Sequence, residues 1–304
     1  MLDKYTYGTV DRINPEAPVP ILNVSYEKNT LGGAGNVAKN ISSLNEKICL
    51  FGICGHDQFG NKIKELCNEN NINYYLIDDG RPTIIKHRFV ALGYNQQLLR
   101  VDYEKKHPIH NEYIPHIIKK LIEMDPKIIV ISDYAKGFIT KKLMDNLKKN
   151  CSGKILVDPK PSNANFYKNV YLVKPNLKET SEILNKNVKN NDEEVEKAGL
   201  KLVEIFNSNI VITRSHKGST LITQEGDIYH IPTMAKEVHD VSGAGDTYIA
   251  VLSYALNNNY PLKEAVELAN KGSSIVVGKL GTASITIEEL FGRWYNDYQM
   301  YFFR

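Results

Sequence analysis

The heptapeptide Asp240–Asp246, with the sequence Asp-Val-Ser-Gly-Ala-Gly-Asp, is the stretch of this chain whose residue types and spacing most favour chemistry. It leads into a long apolar run, residues 247–256, which predicts a helix that begins at Gly-Ala-Gly-Asp. The first N–H groups of a helix have no partner within the helix, and glycines let a ligand come close to that bare backbone. The helix dipole adds positive charge at the same place, so the motif predicts a binding site for an anion such as phosphate.

A carboxylate beside a bound anion is unfavourable, so Asp246 needs an explanation of its own. It is most easily explained as a general base, which accepts a proton from a hydroxyl group that attacks the bound phosphate. The alternative is an ordinary turn before a helix, in which Asp is a common residue, because short motifs often match by chance. The motif is not a Walker A loop, since no Gly-Lys-Ser/Thr follows it, and its spacing is not that of the dinucleotide fingerprint.

Length, charge and cysteine content exclude several classes of function. A chain of 304 residues can form one large α/β domain or two small ones. The net charge of +3, with dispersed lysines, gives no reason to expect nucleic acid as a partner. The four cysteines show no metal-type spacing and favour a reduced, cytoplasmic protein. No apolar run reaches the roughly 18 residues that span a membrane, and no signal peptide is recognised, so we expect no membrane partner.

From residue 127 onward, short apolar strands alternate with helices, which predicts a mainly parallel sheet covered on both faces. In open sheets of this kind, ligands gather at the carboxyl ends of the strands. Any single polar residue after a strand could belong to a solvated loop, but a repeated pattern favours a site. The residues that follow the predicted strands are Asp133, Lys136, Asp158, Lys160, Lys174, Asn176 and Arg214.

The first third of the chain has a different pattern. Residues 7–20 contain three prolines and should be extended and irregular, whereas Val19–Tyr26 alternates like an exposed strand. Ile84–Leu92 and Gln97–Tyr103 are predicted as a pair of strands. The glycines of Leu31–Asn36 precede a predicted helix, where either a small ligand approaches the backbone or a plain helix begins.

Taken together, these motifs resemble those of the ribokinase-like (PfkB) carbohydrate kinases. Asp240–Asp246 fits the family's Asp-x-x-Gly-Ala-Gly-Asp signature, Asn176–Glu179 its Asn-x-x-Glu motif, and Gly32–Asn36 its early Gly-Gly motif. The resemblance implies a three-layer α/β/α sandwich with a mainly parallel central sheet and a small β lid. It implies one kinase domain over residues 1–304, with lid segments at about 7–26 and 84–103. ATP and Mg²⁺ would be the cofactors, and an alcohol group would accept the phosphoryl group.

Within the family, the chain is most similar to the D-glycero-β-D-manno-heptose 7-phosphate kinases, which often form the N-terminal half of a bifunctional enzyme. The similar stretches are Arg12–Pro20, Asn95–Asp102, Ser132–Gly137 and Val277–Thr282. This similarity implies phosphorylation of the C1 hydroxyl of heptose 7-phosphate to heptose 1,7-bisphosphate, for ADP-heptose and lipopolysaccharide core. Two alternatives stay open: another PfkB-type sugar kinase, or a catalytically weak regulator that binds nucleotide or sugar phosphate.

The resemblance also assigns roles to residues. Asp246 would be the base, and the N–H groups of Gly243, Ala244 and Gly245 would stabilise charge on the transferring γ-phosphoryl group. Asn176 and Glu179 would act on Mg²⁺, mainly through water. The residues expected near ATP are Asn176, Leu177, Lys178, Glu179, Thr213, Arg214, Gly218 and Asn270. Those expected to hold the sugar phosphate are Asp3, Arg12, Gly32, Gly33, Asn36, Lys86, Arg88, Gln97, Asp133 and Lys136. The sequence does not choose the cation for the 7-phosphate among Arg12, Lys86, Arg88, Arg100 and Lys136.

Some features depart from the family's pattern. The chain begins where the first strand should be ending, so we expect either a start further upstream or a gap in the central sheet. The chain stops soon after its last helix, so we expect the nucleotidyltransferase half to be absent. Ser242 and Gly35 replace the usual Thr and Ala, which are mild changes. The lid is expected to close over the substrate, exclude water and pair two subunits into a homodimer.

Overall fold

The structure is a computed structural model, and it describes residues 1–93, 96–235, 240–279 and 283–292. The similar stretches that include Asn95 and residues 280–282 therefore lie partly outside the described residues. The chain divides into two compact units, which are described separately. Unit 1 comprises Met1–Asn36 and Cys49–Lys106, and unit 2 comprises Val37–Ile48 and the chain from His107 onward.

Unit 1 is built mainly of strands. Its elements are β1 (Leu2–Thr9), β2 (Asn23–Leu31), the start of α1 (Ala34–Ser43), β3 (Cys49–Ile53), α2 (Gln58–Glu69), β4 (Asn73–Ile77), β5 (Ile85–Ala91) and β6 (Gln96–Tyr103). Four strands form a sheet of order β2-β1-β5-β6, in which β1 is antiparallel to β2 and parallel to β5, and β5 is antiparallel to β6. Strands β3 and β4 form a separate parallel pair.

Alternation along the strands gives this four-stranded sheet two different faces. We call one the tyrosine face, because it carries Tyr5, Tyr7 and Tyr26. The rings of Tyr7 and Tyr26 stack at 4.8 Å between their centroids, as expected for residues directly opposite each other. The opposite face carries a hydrogen-bonded group in which the Thr6 hydroxyl donates to Glu27 at 3.0 Å.

The N-terminal region differs from its prediction. Residues 7–9, expected to be irregular, belong to β1, and the strand expected at Val19–Tyr26 is β2, shifted to Asn23–Leu31. The reason is tertiary, because β1 pairs with a strand on each side and these ladders fix where it and β2 begin and end. The predicted strands Ile84–Leu92 and Gln97–Tyr103 correspond closely to β5 and β6.

Unit 2 contains the alternating helices and strands that the sequence predicts. After the main part of α1 come α3 (Tyr113–Met124), β7 (Ile128–Ser132), α4 (Lys141–Asn150), β8 (Lys154–Asp158), β9 (Leu172–Val173), α5 (Leu177–Ile183), α6 (Asp192–Phe206), β10 (Asn209–Thr213), β11 (Ser219–Ile222), β12 (Ile228–Ile231), α7 (Ala244–Asn257), α8 (Leu262–Val276) and α9 (Ile287–Phe291). The sheet order is β12-β11-β10-β9-β8-β7. Strands β7 to β10 are parallel, whereas β11 and β12 are antiparallel and extend one edge.

Helices cover both faces of this sheet. Leu156, Val211 and Leu221 pack in one core cluster with the apolar residues of α7 and α8. Residues next to them in sequence point to the other face, where α6 lies. A Cβ atom added at Gly199 of α6 would come within 2.4 Å of Ile222, which shows how closely helix and sheet approach. No helix among the described residues is long and apolar enough to cross a membrane.

Candidate active site

Helix α7 begins at a glycine whose conformation suits an exposed helix start. Gly243 is the N-cap residue and has φ 81°, in the left-handed region that favours glycine. It offers no side chain to cap the first N–H groups, and Ser242 and Val241 before it are exposed. A Cβ atom at Gly245 would lie 3.7 Å from Lys174 Nζ and 4.0 Å from Asp158 Oδ2. The helix start therefore lies beside charged residues at the ends of β8 and β9.

Asp246 stands in the first turn of α7 and is only 9% exposed. Its Oδ1 accepts a hydrogen bond of 3.0 Å from the hydroxyl of Tyr134, which follows β7. A hydroxyl donor fixes one carboxylate oxygen and leaves the group oriented, as a general base requires. This hydrogen bond joins the end of β7 to the start of α7.

Asp158 and the buried Lys174 form an ion pair next to this helix start. Lys174 Nζ lies 3.1 Å from Asp158 Oδ1, and the lysine side chain is only 3% exposed. The pKa of Asp158 is raised to about 6, mainly by burial and also by the charges of Asp246 and Glu179, whereas Lys174 acts in the opposite direction. Negative charge is therefore concentrated here, and a bound cation would relieve it.

The Asn-x-x-Glu motif forms a capping box at the start of α5. The side chain of Asn176 accepts from the Glu179 N–H at 2.8 Å, and the Glu179 carboxylate accepts from the Asn176 N–H at 3.0 Å. The other oxygen of Glu179 lies 3.0 Å from Lys160 Nζ. Burial lowers the pKa of Lys160, but the carboxylates of Glu179, Asp158 and Asp133 together raise it above its usual value. Leu177 and Lys178 lie between the motif residues, and Lys178 is exposed.

The side-chain oxygens of Asn176 and Glu179 are suited to a Mg²⁺ ion that keeps much of its hydration shell. Mg²⁺ in such sites is held by one or two carboxylates together with substrate phosphates. Among the described residues, no group of three or more His, Cys, Asp or Glu side chains could hold a metal ion by itself. The Glu179 carboxylate, in the negatively charged surroundings of Asp158, matches a site made of one or two carboxylates and substrate phosphates. It does not match a closed cage of protein ligands.

Asp133 is bound firmly inside unit 2. It is 5% exposed, and its carboxylate accepts from the Asn163 amide at 2.6 Å, from the Ala135 N–H at 2.7 Å and from the Tyr167 hydroxyl. Burial, followed by the negative charge of Asp133, raises the pKa of Tyr167. The structure thus gives Asp133 an internal role in holding the turn after β7, beside its predicted contact with sugar. Lys136 lies in the same turn and is half-buried.

Of the residues predicted near the nucleotide, Thr213 ends β10, Gly218 directly precedes β11, and Asn270 lies within α8. Thr213 donates its N–H to Pro175 O at 3.0 Å, which brings it beside Asn176. Gly218 has φ 78°, and a Cβ atom there would lie 2.1 Å from Ile231 O. Asn270 is buried and donates from its side chain to Pro232 O at 2.7 Å.

Arg214 has a mainly structural environment. Its side chain is 2% exposed, and its guanidinium lies 2.7 Å from Asp192 and donates to Asn190 and Thr220 at 3.0 Å each. These partners tie the turn after β10 to the start of α6. Its predicted contact with ATP stays a prediction.

Within unit 1, four of the residues predicted to hold sugar lie near the start of α1. A Cβ atom at Gly32 would lie 2.8 Å from the Asp3 carboxyl, so only glycine allows this approach. Gly33 has φ 58°, and Asn36 is 3% exposed. Lys86 and Arg88 on β5 lie beside Asp3, since Lys86 pairs with Asp3 in the sheet and Arg88 Nη1 is 3.0 Å from Asp3 Oδ1. Gln97 lies on β6, and Arg12 lies in the exposed segment after β1.

Comparison with known families matches residues 4–289 to the model of the pfkB family carbohydrate kinases. The chain belongs to this family. The match covers both units, and the predicted recognition is confirmed. Sugar kinases of the pfkB family use ATP, generally with Mg²⁺, and phosphorylate an alcohol group, which is the enzyme class predicted for this chain.

This pfkB chain also resembles curated proteins and solved structures. It is 37% identical over 294 residues to the bifunctional protein HldE of a Nitratiruptor species, and 40% identical over 295 residues to that of Actinobacillus pleuropneumoniae serotype 5b. These matches cover 95% of the chain but only 62% and 61% of the two relatives.

The solved structures similar to it show the fold. Phosphofructokinase-2 from Escherichia coli, in complex with potassium, matches with a TM-score of 0.82 at 20% identity, covering 95% of this chain and 93% of the other. Ribokinase from Thermotoga maritima matches with a TM-score of 0.74 at 20% identity, covering 95% and 94%. The predicted ribokinase-like α/β fold is thereby confirmed.

Sequence reasoning missed some residues of the site. Tyr134 was part of a similar stretch but received no role, and Tyr167 and Asn163 were not singled out. A tyrosine directly after a strand that ends in this crevice was the available signal for Tyr134. Nothing in the local pattern indicated Tyr167, because its contact with Asp133 spans 34 positions.

Proposed function

We propose that this chain phosphorylates the C1 hydroxyl of D-glycero-D-manno-heptose 7-phosphate with ATP and forms heptose 1,7-bisphosphate. The observation that carries the proposal is Asp246, a buried carboxylate held by Tyr134 at the exposed start of α7. The choice of heptose rests on the similar stretches in the sequence and on relatives named bifunctional protein HldE, of which this chain spans about three fifths.

Unit 2 supplies the groups that transfer the phosphoryl group. Asp246 takes the proton of the attacking C1 hydroxyl, and the N–H groups of Gly243, Ala244 and Gly245 stabilise the charge that develops on the γ-phosphoryl oxygens. The ammonium of Lys174, beside Gly245, adds positive charge at the same place. Glu179 and Asn176 would hold Mg²⁺ through water, and the ion would neutralise charge on the triphosphate.

Unit 1 supplies the groups that hold the sugar phosphate. The Asp3 carboxylate and the backbone of Gly32 and Gly33 are suited to sugar hydroxyls. The basic residues of β5 and β6 are suited to the phosphate. We propose that residues 1–304 are one kinase domain.

We also propose that the protein is a cytoplasmic homodimer that pairs through its four-stranded sheet, with neither nucleic acid nor membrane as a partner. Leu99 and Tyr103, on the face opposite the tyrosine face, are 56% and 55% exposed, which supports burial against a second copy. Light scattering should give twice the mass of the chain, and a monomer at all concentrations would contradict this proposal.

The direct test mixes the protein with Mg·ATP and heptose 7-phosphate. We expect release of ADP and a second sugar-phosphate signal in the phosphorus NMR spectrum, from the new 1-phosphate. Fast turnover of ribose, fructose or adenosine, with none of heptose 7-phosphate, would indicate another PfkB-type sugar kinase. Binding of ATP and sugar phosphate without turnover would indicate a regulator that contributes no catalysis to the synthesis of ADP-heptose and lipopolysaccharide core.

A further inference from the structure

One buried carboxylate holds the turn after β7 from inside unit 2. Asp133 Oδ1 accepts from the Ala135 N–H at 2.7 Å, which closes the turn. Asp133 Oδ2 accepts from the Asn163 amide at 2.6 Å and from the Tyr167 hydroxyl. A carboxylate that accepts from donors on both oxygens is held in one orientation, because rotation would break bonds on both sides. The turn is thereby tied to the segment that follows β8.

Two of these donors come from a short 3₁₀-helix, Pro161–Phe166, and from the residue that ends it. The Asn163 N–H donates to Lys160 O at 2.9 Å, and the Tyr167 N–H donates to Ala164 O at 3.1 Å. The Tyr167 side chain is fully buried. Local hydrogen bonds fix the backbone and packing fixes the ring, so the two donors reach the carboxylate in a set position.

The turn itself has a backbone that an unconstrained chain seldom adopts. Ala135 has φ 52°, in the left-handed region that is unfavourable for a residue with a side chain. Gly137 has φ 92°, and a Cβ atom there would overlap with His107 O. Such conformations persist only where the surroundings enforce them. The hydrogen bond from the Ala135 N–H to Asp133 is one of the contacts that do so.

Tyr134 lies between these two residues of the turn, Asp133 and Ala135, so their conformation sets the direction of its side chain. Its hydroxyl donates to Asp246 Oδ1 at 3.0 Å. Lys160 Nζ, from the segment after β8, lies 6.0 Å from the centroid of the Tyr134 ring. A displacement of about 1 Å in a group that orients a reacting atom can lower a rate by about 10²-fold. The shape of the turn therefore matters for the carboxylate of Asp246.

We propose that Tyr167 and Asn163 are positioning residues for phosphoryl transfer, which act without touching the substrate. They hold Asp133, and Asp133 fixes the turn after β7. The turn in turn keeps the Tyr134 hydroxyl on the proposed base, Asp246. This inference rests on the proposed function and deepens it, because it makes the segment after β8 responsible for the orientation of the base. It gives Asp133 a role other than its predicted contact with sugar.

Replacing Tyr167 by Phe removes only the hydroxyl and keeps the buried ring. In assays of ADP release with Mg·ATP and heptose 7-phosphate, kcat should fall by about 3- to 10-fold, as expected for the loss of one hydrogen bond to a charged group. Asn163→Ala should act in the same direction. The KM values for ATP and for the sugar phosphate should stay within about twofold. A higher KM for the sugar phosphate with an unchanged kcat would overturn the proposal, since it would indicate support of a sugar contact.

A double-mutant cycle tests the route through Tyr134. In a protein that carries both Tyr167→Phe and Tyr134→Phe, kcat should lie within about twofold of that of Tyr134→Phe alone. The reason is that a relaxed turn affects the base only through the hydroxyl that the turn presents. Losses that multiply in the double variant would show independent effects and would reject this route.

Tyr248→Phe is the matched control for the loss of a buried tyrosine hydroxyl. Tyr248 is buried on α7 and donates its hydroxyl to Ser219 at 2.9 Å, away from the turn after β7. This variant should lower Tm about as much as Tyr167→Phe but keep kcat within about twofold of the wild type. If both variants lowered kcat equally, the effect would follow from lost stability, and the positioning role would be refuted.

A measurement without turnover separates failure of this inference from failure of the proposed function. In protein labelled with 3-fluorotyrosine, the fluorine NMR signal that Tyr134→Phe removes belongs to Tyr134. That signal should shift in Tyr167→Phe and stay in place in Tyr248→Phe. If the wild type phosphorylates another sugar, the kinetic tests are made with that sugar. If it phosphorylates none, the proposed function fails, and the fluorine signal alone decides: a shift in Tyr167→Phe supports the positioning role, and an unmoved signal rules it out.

Discussion

Replacing Asp246 by Asn tests the catalytic role of the carboxylate most directly. Asn keeps the size of the side chain and an oxygen that can accept from the Tyr134 hydroxyl, which lies 3.0 Å from the carboxylate. It removes only the negative charge and the ability to take a proton. Because the residue is 9% exposed, bulk water has little access to act as a base in its place.

The expected loss follows from the contribution of a general base. Such a group accelerates reactions by about 10²- to 10⁴-fold, so kcat should fall by that factor, an increase of about 3 to 5 kcal/mol in the barrier. The KM for ATP should change little, because the backbone N–H groups of residues 243–245 remain in place. Removing a carboxylate near the phosphates would, if anything, tighten ATP binding.

The assay measures ADP release at saturating ATP and sugar phosphate, with thermal unfolding as the check of folding. Asp145→Asn is the matched control, since it removes one exposed carboxylate from α4 in the same unit. It should keep the wild-type kcat. A kcat within about threefold of the wild type in Asp246→Asn would refute the role of this residue as base.

Three other changes probe the surroundings of the site. Tyr134→Phe should lower kcat by about tenfold and leave the KM for ATP unchanged, because it removes the hydrogen bond to one oxygen of Asp246. A rise in the KM for ATP as large as the fall in kcat would contradict a positioning role. Burial raises the pKa of Asp158 from 3.8 to about 6, so the folded state keeps this proton to higher pH than the unfolded chain. Urea titrations at about pH 5 and pH 7.5 should therefore show a loss of unfolding free energy with rising pH. This loss should be about 1 kcal/mol larger for the wild type than for Asp158→Asn. Parallel curves for the two proteins would reject this pKa shift. Gly218→Ala and Gly226→Ala both place a side chain at positive φ, but only the Cβ atom at position 218 meets backbone, at 2.1 Å. Gly218→Ala should therefore lower the free energy of unfolding, measured by heat or urea, by about 1 to 3 kcal/mol more than Gly226→Ala. Equal losses of stability would contradict the tight turn.

The start of α7 shows how much local sequence can determine. Glycines followed by a long apolar run predict a helix start, and Gly243 and α7 match that prediction. The capping box of Asn176 and Glu179 is equally local, because its bonds join residues three positions apart. Short strands followed by polar residues also predicted the parallel part of the sheet in unit 2.

The partners of the site residues depended on contacts between distant parts of the chain. Tyr134 meets Asp246 across 112 positions, and Arg214 donates to Asn190 across 24 positions. Sequence periodicity marks which residues are apolar but not which polar groups meet, because that is decided by strand order and helix packing.

The sequence by itself determined the family, the glycine at the start of α7 and the carboxylate in its first turn, since each is written in a few adjacent residues. Only the tertiary structure decided which cations lie together. Side chains alternate along a strand, so a shift of one residue in register would move Arg88 and Lys86 to the other face. The pairing of β1 with β2 and β5, and of β5 with β6, sets that register and gathers these cations beside Asp3.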